Sequence, residues 1–239
     1  MKKMTIRLVI LALGCLLLSA CSTRSISDSS FEGTQSSNPF YFGELNENDV
    51  LGIESATIPT DKEIAKELAS AKLPYIPLGG TVMVVQSGAM IPDTDMLEAL
   101  DIYYNVAVYS GTPDSSPHKN YARSLRLAAA RAGCDLIMVY WGLLETAQTS
   151  YSSKAISWVP IIGSAIPDES QQMRIRLKVA LIDTKTGHWD SFVPTTFEDS
   201  ASSSRHSRKT VDQRQVDILK TKAYRTAVNE LVKRYSSQM

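Results

Sequence analysis

Histidine, cysteine and recognisable catalytic motifs are scarce in this 239-residue chain. It has three histidines and three cysteines, and the spacings HExxH, CxxC and GxSxG and the P-loop pattern are absent. Those spacings mark zinc hydrolases, thiol redox sites, serine hydrolases and phosphate-binding loops. We therefore expect no metal site and no cofactor, and the sequence excludes the enzyme classes that depend on these motifs.

A net charge of either sign is also missing. The 25 Lys and Arg residues balance the 25 Asp and Glu residues, and residues 22–239 alone carry about −3 because three basic residues precede them. Proteins that bind nucleic acid through its phosphates are usually basic. The weakly acidic balance therefore excludes nucleic acid as the main partner.

The amino-terminal 21 residues have the most specific pattern in the chain. Three basic residues flank the start, an apolar run extends from Leu8 to Leu18, and Leu18-Ser19-Ala20-Cys21 closes the segment. The alternative is a transmembrane helix, but the run is shorter than the roughly 20 apolar residues that cross a bilayer. The order of charged, apolar and small residues indicates a cleaved signal peptide over residues 1–20.

The last four of these residues resemble the lipobox of bacterial lipoprotein signals. The resemblance implies that Cys21 becomes the acylated amino terminus, with palmitate-type chains that anchor the protein in a membrane. Ser22, rather than Asp, then implies sorting to the outer membrane, on its periplasmic side. More than one acyl chain gives stable anchoring.

Cleavage would leave Cys134 as the one cysteine without a lipid, so an internal disulfide is excluded. Cys134 opens an apolar run, which favours a small buried hydrophobe over a reactive thiol. Residues 21–37 are rich in Ser, with Thr, Gly, Asp and Gln among the rest, and contain few apolar side chains. This composition predicts a flexible, lipidated tether between the membrane and the folded part.

Residues 38–239 are predicted to form a single α/β domain. A capping box at Thr60–Glu63 begins the first helix, and alternation from Met173 to Leu181 predicts a strand with one buried face. Asp183-Thr-Lys-Thr-Gly187 is typical of a hairpin turn. The predicted helices cover about 61–72, 95–100, 120–132 and 211–235, and the predicted strands about 81–87, 103–109, 136–144, 173–182 and 188–193.

This order predicts a mixed sheet of about five strands with helices packed on it. The first three strands alternate with helices, which favours parallel βαβ units. The last two strands form an antiparallel hairpin, and a long carboxy-terminal helix follows.

Two segments resemble the CsgG-type superfamily of bacterial envelope proteins, which includes the TolB amino-terminal domain. They are the helix–Gly–Cys–Asp–strand junction at residues 129–137 and the strand–turn segment at residues 178–187. The resemblance implies a role in envelope assembly or secretion, frequent homo-oligomers and no catalysis.

An apolar insertion at residues 146–171 separates the third and fourth strands. It alternates poorly, so membrane-crossing strands are not expected. Three interpretations stay open: it folds back on its own domain, forms an interface with a partner or second copy, or dips into the membrane surface. The candidate contact residues are Trp158, Val159, Ile161 and Ile162.

Two further sets of residues are candidates for chemistry. Ser87, at the end of a strand, and His118, in a loop, could act as nucleophile and base in a peptidase or esterase. A Ser-Gly turn and an exposed histidine explain the same residues without catalysis. Arg174, Arg176 and Lys178 form a basic strip that could contact an anionic glycan, a lipid or a partner, or could be a solvated strand face.

Acidic and basic residues near two helices have simpler interpretations. Asp93 and Asp95 are predicted to cap a helix, where negative charge suits the dipole. Lys220 and the other basic residues of the last helix are predicted to lie on its wet side. The sequence as a whole predicts a lipid-anchored periplasmic accessory or scaffold protein, with an envelope hydrolase as the alternative.

Overall fold

The computed structural model describes residues 21–29, 38, 40–53, 58–113, 120–150, 169–203 and 208–236. The strands are β1 (Cys21–Ser25), β2 (Thr81–Gln86), β3 (Asn105–Tyr109), β4 (Leu136–Ser150), β5 (Glu169–Asp183), β6 (Trp189–Phe192) and β7 (Phe197–Ser203). The helices are α1 (Glu47–Leu51), α2 (Asp61–Ser70), α3 (Thr94–Asp101), α4 (Tyr121–Arg131) and α5 (Arg208–Tyr235). No helix among these residues is long and apolar enough to cross a membrane.

The strands form one mixed sheet, which confirms the predicted α/β fold class. The order is β3-β2-β4-β5-β6, with β1 beside β4 and β7 beside β5. Strand β2 is parallel to both β3 and β4, as βαβ units require, and the other pairings are antiparallel. Five of the seven strands were predicted; β1 and β7 are additions.

Helices pack on both faces of the sheet and bury a separate hydrophobic core on each. One face packs against α3 and α5 and forms the larger core, which includes Met138, Tyr140, Val179 and Tyr224. The other face packs against α1 and α4 around Ile137, Val139 and Ile182. The apolar run of β4 is therefore explained, because both of its faces are buried.

The β4–β5 hairpin is longer than the sequence predicted. Its register is continuous from Leu136 opposite Asp183 to Ser150 opposite Glu169, with 15 residues in each strand. The predicted insertion at 146–171 therefore begins and ends as strand, and residues 151–168 lie outside the described residues. We call the two ends of this hairpin the Ser150 end and the Leu136 end.

The local turn predictions are confirmed at two glycines. Gly133 follows α4 with a φ of 72°, and its N–H donates to the carbonyl of Ala130. Gly187 ends the hairpin turn with a φ of 80°, where Asp183 accepts from the amide of Thr186 at 2.7 Å. Both positions need the left-handed backbone region that glycine adopts without strain.

Residues 21–29 differ from the predicted flexible tether, because they are part of the folded domain. Residues 21–25 form β1, antiparallel to β4, with Cys21 opposite Ala147. Ile26 is fully buried, and Ser27 and Ser29 are buried as well. Ser and Thr are compatible with a strand, and one apolar residue holds the segment on the core. The remainder of the predicted tether lies largely outside the described residues.

Candidate functional surfaces

Side chains of β1 and of the two residues after it attach this segment to the domain at three positions. The side chain of Ile26 fills a space above Gly142, where a Cβ atom would lie 2.7 Å from Ile26 Cδ1. Arg24 forms an ion pair with Asp212 of α5 at 3.0 Å. The hydroxyl of Ser27 donates to the carbonyl of Ser87 at 2.6 Å. The residue predicted to carry the lipid is therefore the first residue of a strand in the sheet.

The sheet has one exposed face near the Ser150 end, which we call the open face. Directly paired residues of antiparallel strands share a face, so the register places their side chains together. Their side chains are exposed or half-exposed, unlike those of the alternate positions. The open face consists of Thr23, Leu143, Glu145, Gln172, Arg174, Arg176 and Glu198.

Charges on the open face are paired across strands. Arg174 Nε donates to Glu145 Oε2 at 2.6 Å, and Arg176 donates to the other oxygen of the same carboxylate. Arg174 also lies 3.6 Å from Glu198. Partial burial tends to raise the pKa of the Glu145 carboxyl, but the two arginine hydrogen bonds hold it below its usual value.

Lys178, the third residue of the predicted basic strip, pairs with Glu47 of α1 at 2.6 Å. Three cations in this strip therefore face three carboxylates, counting Glu145 and Glu198. An anion would have to displace a carboxylate that is already in place. The structure favours a face with paired charges of both signs over a dedicated anion site.

Ser87 is buried, with 1% of its surface exposed. Its Oγ accepts a hydrogen bond from the amide of Leu45 at 2.8 Å, so the hydroxyl joins the loop before α1 to the end of β2. A nucleophile must reach a substrate, and this environment does not present the hydroxyl to solvent. His118, the proposed base, lies outside the described residues.

A buried polar network connects β2, β4 and α5 with the segment after β1 and the residue before α3. Gln86 accepts from the hydroxyl of Tyr140 at 2.6 Å and from the amide of Asp93 at 2.7 Å, and it donates to Ser27 at 3.0 Å. Asp93 in turn accepts from the hydroxyl of Tyr224 at 2.5 Å. Burial raises the pKa of Tyr140 and Tyr224 well above the usual value, so both hydroxyls remain donors.

The network corrects two predictions. Asp93 occupies the position before α3, but its side chain makes no capping hydrogen bond. It instead pairs with Lys220 Nζ at 2.8 Å, and that lysine side chain is only 8% exposed. Asp95 is likewise engaged by Thr221 of α5. The prediction that Lys220 lies on the wet side of the last helix is wrong, because an ion pair compensates its burial.

Cys134 has the environment predicted from the sequence. It is buried, and burial first and then the nearby Asp135 raise the pKa of its thiol. A raised pKa lowers the thiolate fraction at neutral pH, which disfavours reactivity. Within the described ranges, no three or more His, Cys, Asp or Glu residues are grouped to hold a metal ion.

Two adjoining surface grooves lie beside α3, and sequence reasoning did not find them. One has a volume of about 470 Å³ and lies between α3 and α5, with Glu98, Arg225 and Asn229 in its wall. The other, of about 290 Å³, continues from it, and Ile102 and Tyr103 line both. The residues come from three separate parts of the chain, so no local motif could have indicated them.

The predicted contact residues of the apolar insertion cannot be placed on this surface. Trp158, Val159, Ile161 and Ile162 lie outside the described residues, and so do residues 1–20, the predicted signal peptide. Residue Cys21 is described as part of β1, at the Ser150 end of the hairpin.

Comparison with known proteins gives one family and several solved structures. The family described as "YafT bacterial lipoprotein" matches residues 46–234, which is more than half of the chain. Comparison with curated proteins gives no match. The family description agrees with the lipoprotein signal predicted at the amino terminus.

Three solved structures that match part of the chain are the following. A homologue of neuraminyllactose-binding hemagglutinin from Helicobacter pylori is 11% identical, with 70% of this chain and 90% of that chain covered and a TM-score of 0.30. A PelC dodecamer from Paraburkholderia phytofirmans is 15% identical, with 64% and 92% covered and a TM-score of 0.27. The hypothetical protein CT253 from Chlamydia trachomatis is 14% identical, with 65% and 96% covered and a TM-score of 0.27. No function is transferred from these proteins at such TM-scores.

Proposed function

Because the chain belongs to the YafT bacterial lipoprotein family, we propose that it is lipid-anchored through Cys21 on the periplasmic side of the outer membrane. Its folded domain acts there as an accessory or scaffold in envelope assembly, secretion or maintenance. The anchor positions an interaction surface; it does not deliver a catalytic centre.

One observation carries this proposal. Cys21, which ends the lipobox pattern, is also the first residue of β1 and pairs with Ala147 of the central hairpin. Acyl chains on Cys21 would therefore be attached to the sheet itself, and the sheet would be held at the membrane surface. This arrangement suits a protein whose function depends on where its surface is placed.

The open face is the proposed contact surface for an envelope protein or a second copy of the chain. It is polar, it carries charges of both signs, and it lies on the same half of the sheet as Cys21. Arg side chains are enriched at protein interfaces, and complementary charges fix register and exclude wrong partners. The pairing of Arg174 and Arg176 with Glu145 holds these groups in defined positions before a partner arrives.

Metabolic labelling with a palmitate analogue tests the anchor. The wild-type chain and the matched control Cys134→Ala should take up the label, and Cys21→Ala should not. Ser22→Asp should keep the label and move the protein from the outer-membrane to the inner-membrane fraction. Label on Cys21→Ala, or none on the wild type, would refute the anchor.

Cross-linking in the intact envelope tests the contact surface. A photo-reactive amino acid at Gln172 of the open face should give a discrete adduct, whose mass distinguishes an envelope protein from a second copy. The matched control places the same group at Lys222, an exposed position on α5. Equal patterns at the two positions, or adducts at Lys222 alone, would contradict a role for the open face.

A further inference from the structure

We infer that the lipid holds this domain directly against the bilayer, with the Ser150 end of the β4–β5 hairpin at the membrane and the Leu136 end facing away. The inference rests on the proposed acylation of Cys21. It goes further because it fixes the distance and the orientation of the domain, which an anchor alone does not.

Because β1 is paired with β4, the flexible spacer that the composition predicted between the lipid and the domain is absent at its start. Sixteen residues of extended chain, 22–37, could hold a domain up to about 55 Å from its lipid. In the structure these residues begin as strand instead, with Ser22 opposite Thr146 and Thr23 opposite Glu145. The acylated residue is therefore separated from the sheet by no free chain.

The register decides which end of the molecule meets the membrane. Cys21 lies opposite Ala147, three residues before Ser150. Leu136, at the start of β4, is eleven residues from Ala147 in the opposite direction, which corresponds to about 36 Å of strand. A bilayer within reach of lipid chains on Cys21 is therefore adjacent to the Ser150 end and remote from the Leu136 end.

The first part of α5 lies at the same end of the molecule. Asp212, in the second turn of the helix, accepts a hydrogen bond from Gln171 at 2.9 Å and pairs with Arg24 at 3.0 Å. These contacts place this part of the helix beside β1 and the start of β5. In the proposed orientation it is therefore on the side of the domain that meets the bilayer.

Helix α2 has exposed apolar side chains that resemble a membrane contact, but it lies at the Leu136 end. Its Ile64 and Leu68 side chains are 47% and 74% exposed. It contacts the domain through Glu67, 3.9 Å from His188 in the segment between β5 and β6. That segment is at the Leu136 end, so α2 is directed away from the bilayer in this orientation.

Fluorescence quenching in vesicles tests the orientation. The acylated full chain, with Cys134→Ser to remove the other thiol, is reconstituted in phosphatidylethanolamine–phosphatidylglycerol vesicles that contain a headgroup-labelled quencher lipid. A fluorophore is attached at Ser202→Cys, exposed on β7 near the Ser150 end, or at Lys185→Cys, exposed in the turn at the Leu136 end. We expect strong quenching at position 202 and almost none at position 185.

A linker variant supplies the control. About 12 Gly and Ser residues inserted between Ser22 and Thr23 restore a spacer that can extend to roughly 40 Å, while Ile26 keeps its place. This variant should lose most of the quenching at position 202 and still float with the vesicles.

Each outcome separates this inference from the proposed function. Equal quenching at positions 202 and 185 in an acylated, vesicle-bound chain would overturn the proposed orientation but not the proposed lipid anchor. Stronger quenching at position 185 would do the same. A wild-type chain that carries no acyl mass and does not float would overturn the anchor, and the orientation with it.

Discussion

Replacing Ile26 by alanine should destabilise the whole domain, although it is only the sixth residue after the predicted cleavage site. Its side chain is fully buried in the core beneath α5. Truncation of a buried Ile to Ala typically costs about 2–5 kcal/mol in the free energy of unfolding, because apolar burial is lost and a cavity remains. In a flexible tether the same change would cost less than about 0.5 kcal/mol.

Gly142 supplies the second half of the experiment. A Cβ atom there would lie 2.7 Å from Ile26 Cδ1, 2.8 Å from Ile26 Cγ2 and 2.7 Å from Leu177 Cδ2. Gly142→Ala should therefore overpack the core and cost about 1–3 kcal/mol. Ile26→Ala removes both close Ile26 atoms, so Gly142→Ala should cost less in that background, with a coupling energy of about 0.5–3 kcal/mol.

Urea denaturation followed by circular dichroism measures all four members of this cycle. The acyl-free chain of residues 21–239 with Cys21→Ser serves as the parent. Ile102→Ala, at a side chain that is 74% exposed, is the matched control and should change stability by less than about 0.5 kcal/mol. An Ile26→Ala variant as stable as its parent, or strictly additive effects of the two substitutions, would refute the packing of Ile26 against Gly142 in the core.

Three further predictions concern the interior. Lys220→Met should lower the free energy of unfolding by about 3 kcal/mol, because Asp93 would lose its ion-pair partner at 2.8 Å. The control Lys222→Met, on the exposed side of the helix, should be near neutral. Equal melting temperatures for the two variants would contradict the pairing. A fluorophosphonate probe should not label Ser87, which is 1% exposed, and labelling that Ser87→Ala abolishes would restore the hydrolase hypothesis. Burial raises the pKa of the Tyr121 hydroxyl from 10.0 to about 12. The unfolded chain therefore loses this proton at lower pH than the folded chain, and the free energy of unfolding should fall as the pH rises from about 10 to about 12. In urea titrations over this range, the free energy of unfolding of Tyr121→Phe should fall less steeply than that of the wild type.

The strands that contain a clear pattern were predicted well. Alternation from Met173 to Leu181 gave the correct buried face of β5, because period-two patterning reports directly which side chains face the core. The turn at Asp183–Gly187 and the end of α4 at Gly133 followed from local chemistry. Such signals need no knowledge of distant residues.

The segments that depend on distant partners were missed. β1 contains no large apolar residue, and the one that follows it, Ile26, fits only because Gly142, more than a hundred residues away, has no side chain. Lys220 was assigned to solvent because lysine is rarely buried without a partner. Its partner, Asp93, is brought to it only by the packing of α3 on α5.

The candidate surface was predicted in part. The outward direction of Arg174 and Arg176 followed from the alternation of β5. Their neutralisation did not, because Glu145 and Glu198 come from neighbouring strands whose register the sequence leaves open.

The sequence by itself determined the mixed α/β fold and indicated a bacterial lipoprotein, since periodicity, turn residues and the lipobox pattern are all encoded within a few consecutive positions. Only the tertiary structure decided where Cys21 lies relative to the domain, which charges are paired and which lysine is buried. These properties depend on contacts between residues far apart in the chain, and such contacts exist only once the sheet has taken its register and the helices have packed on it.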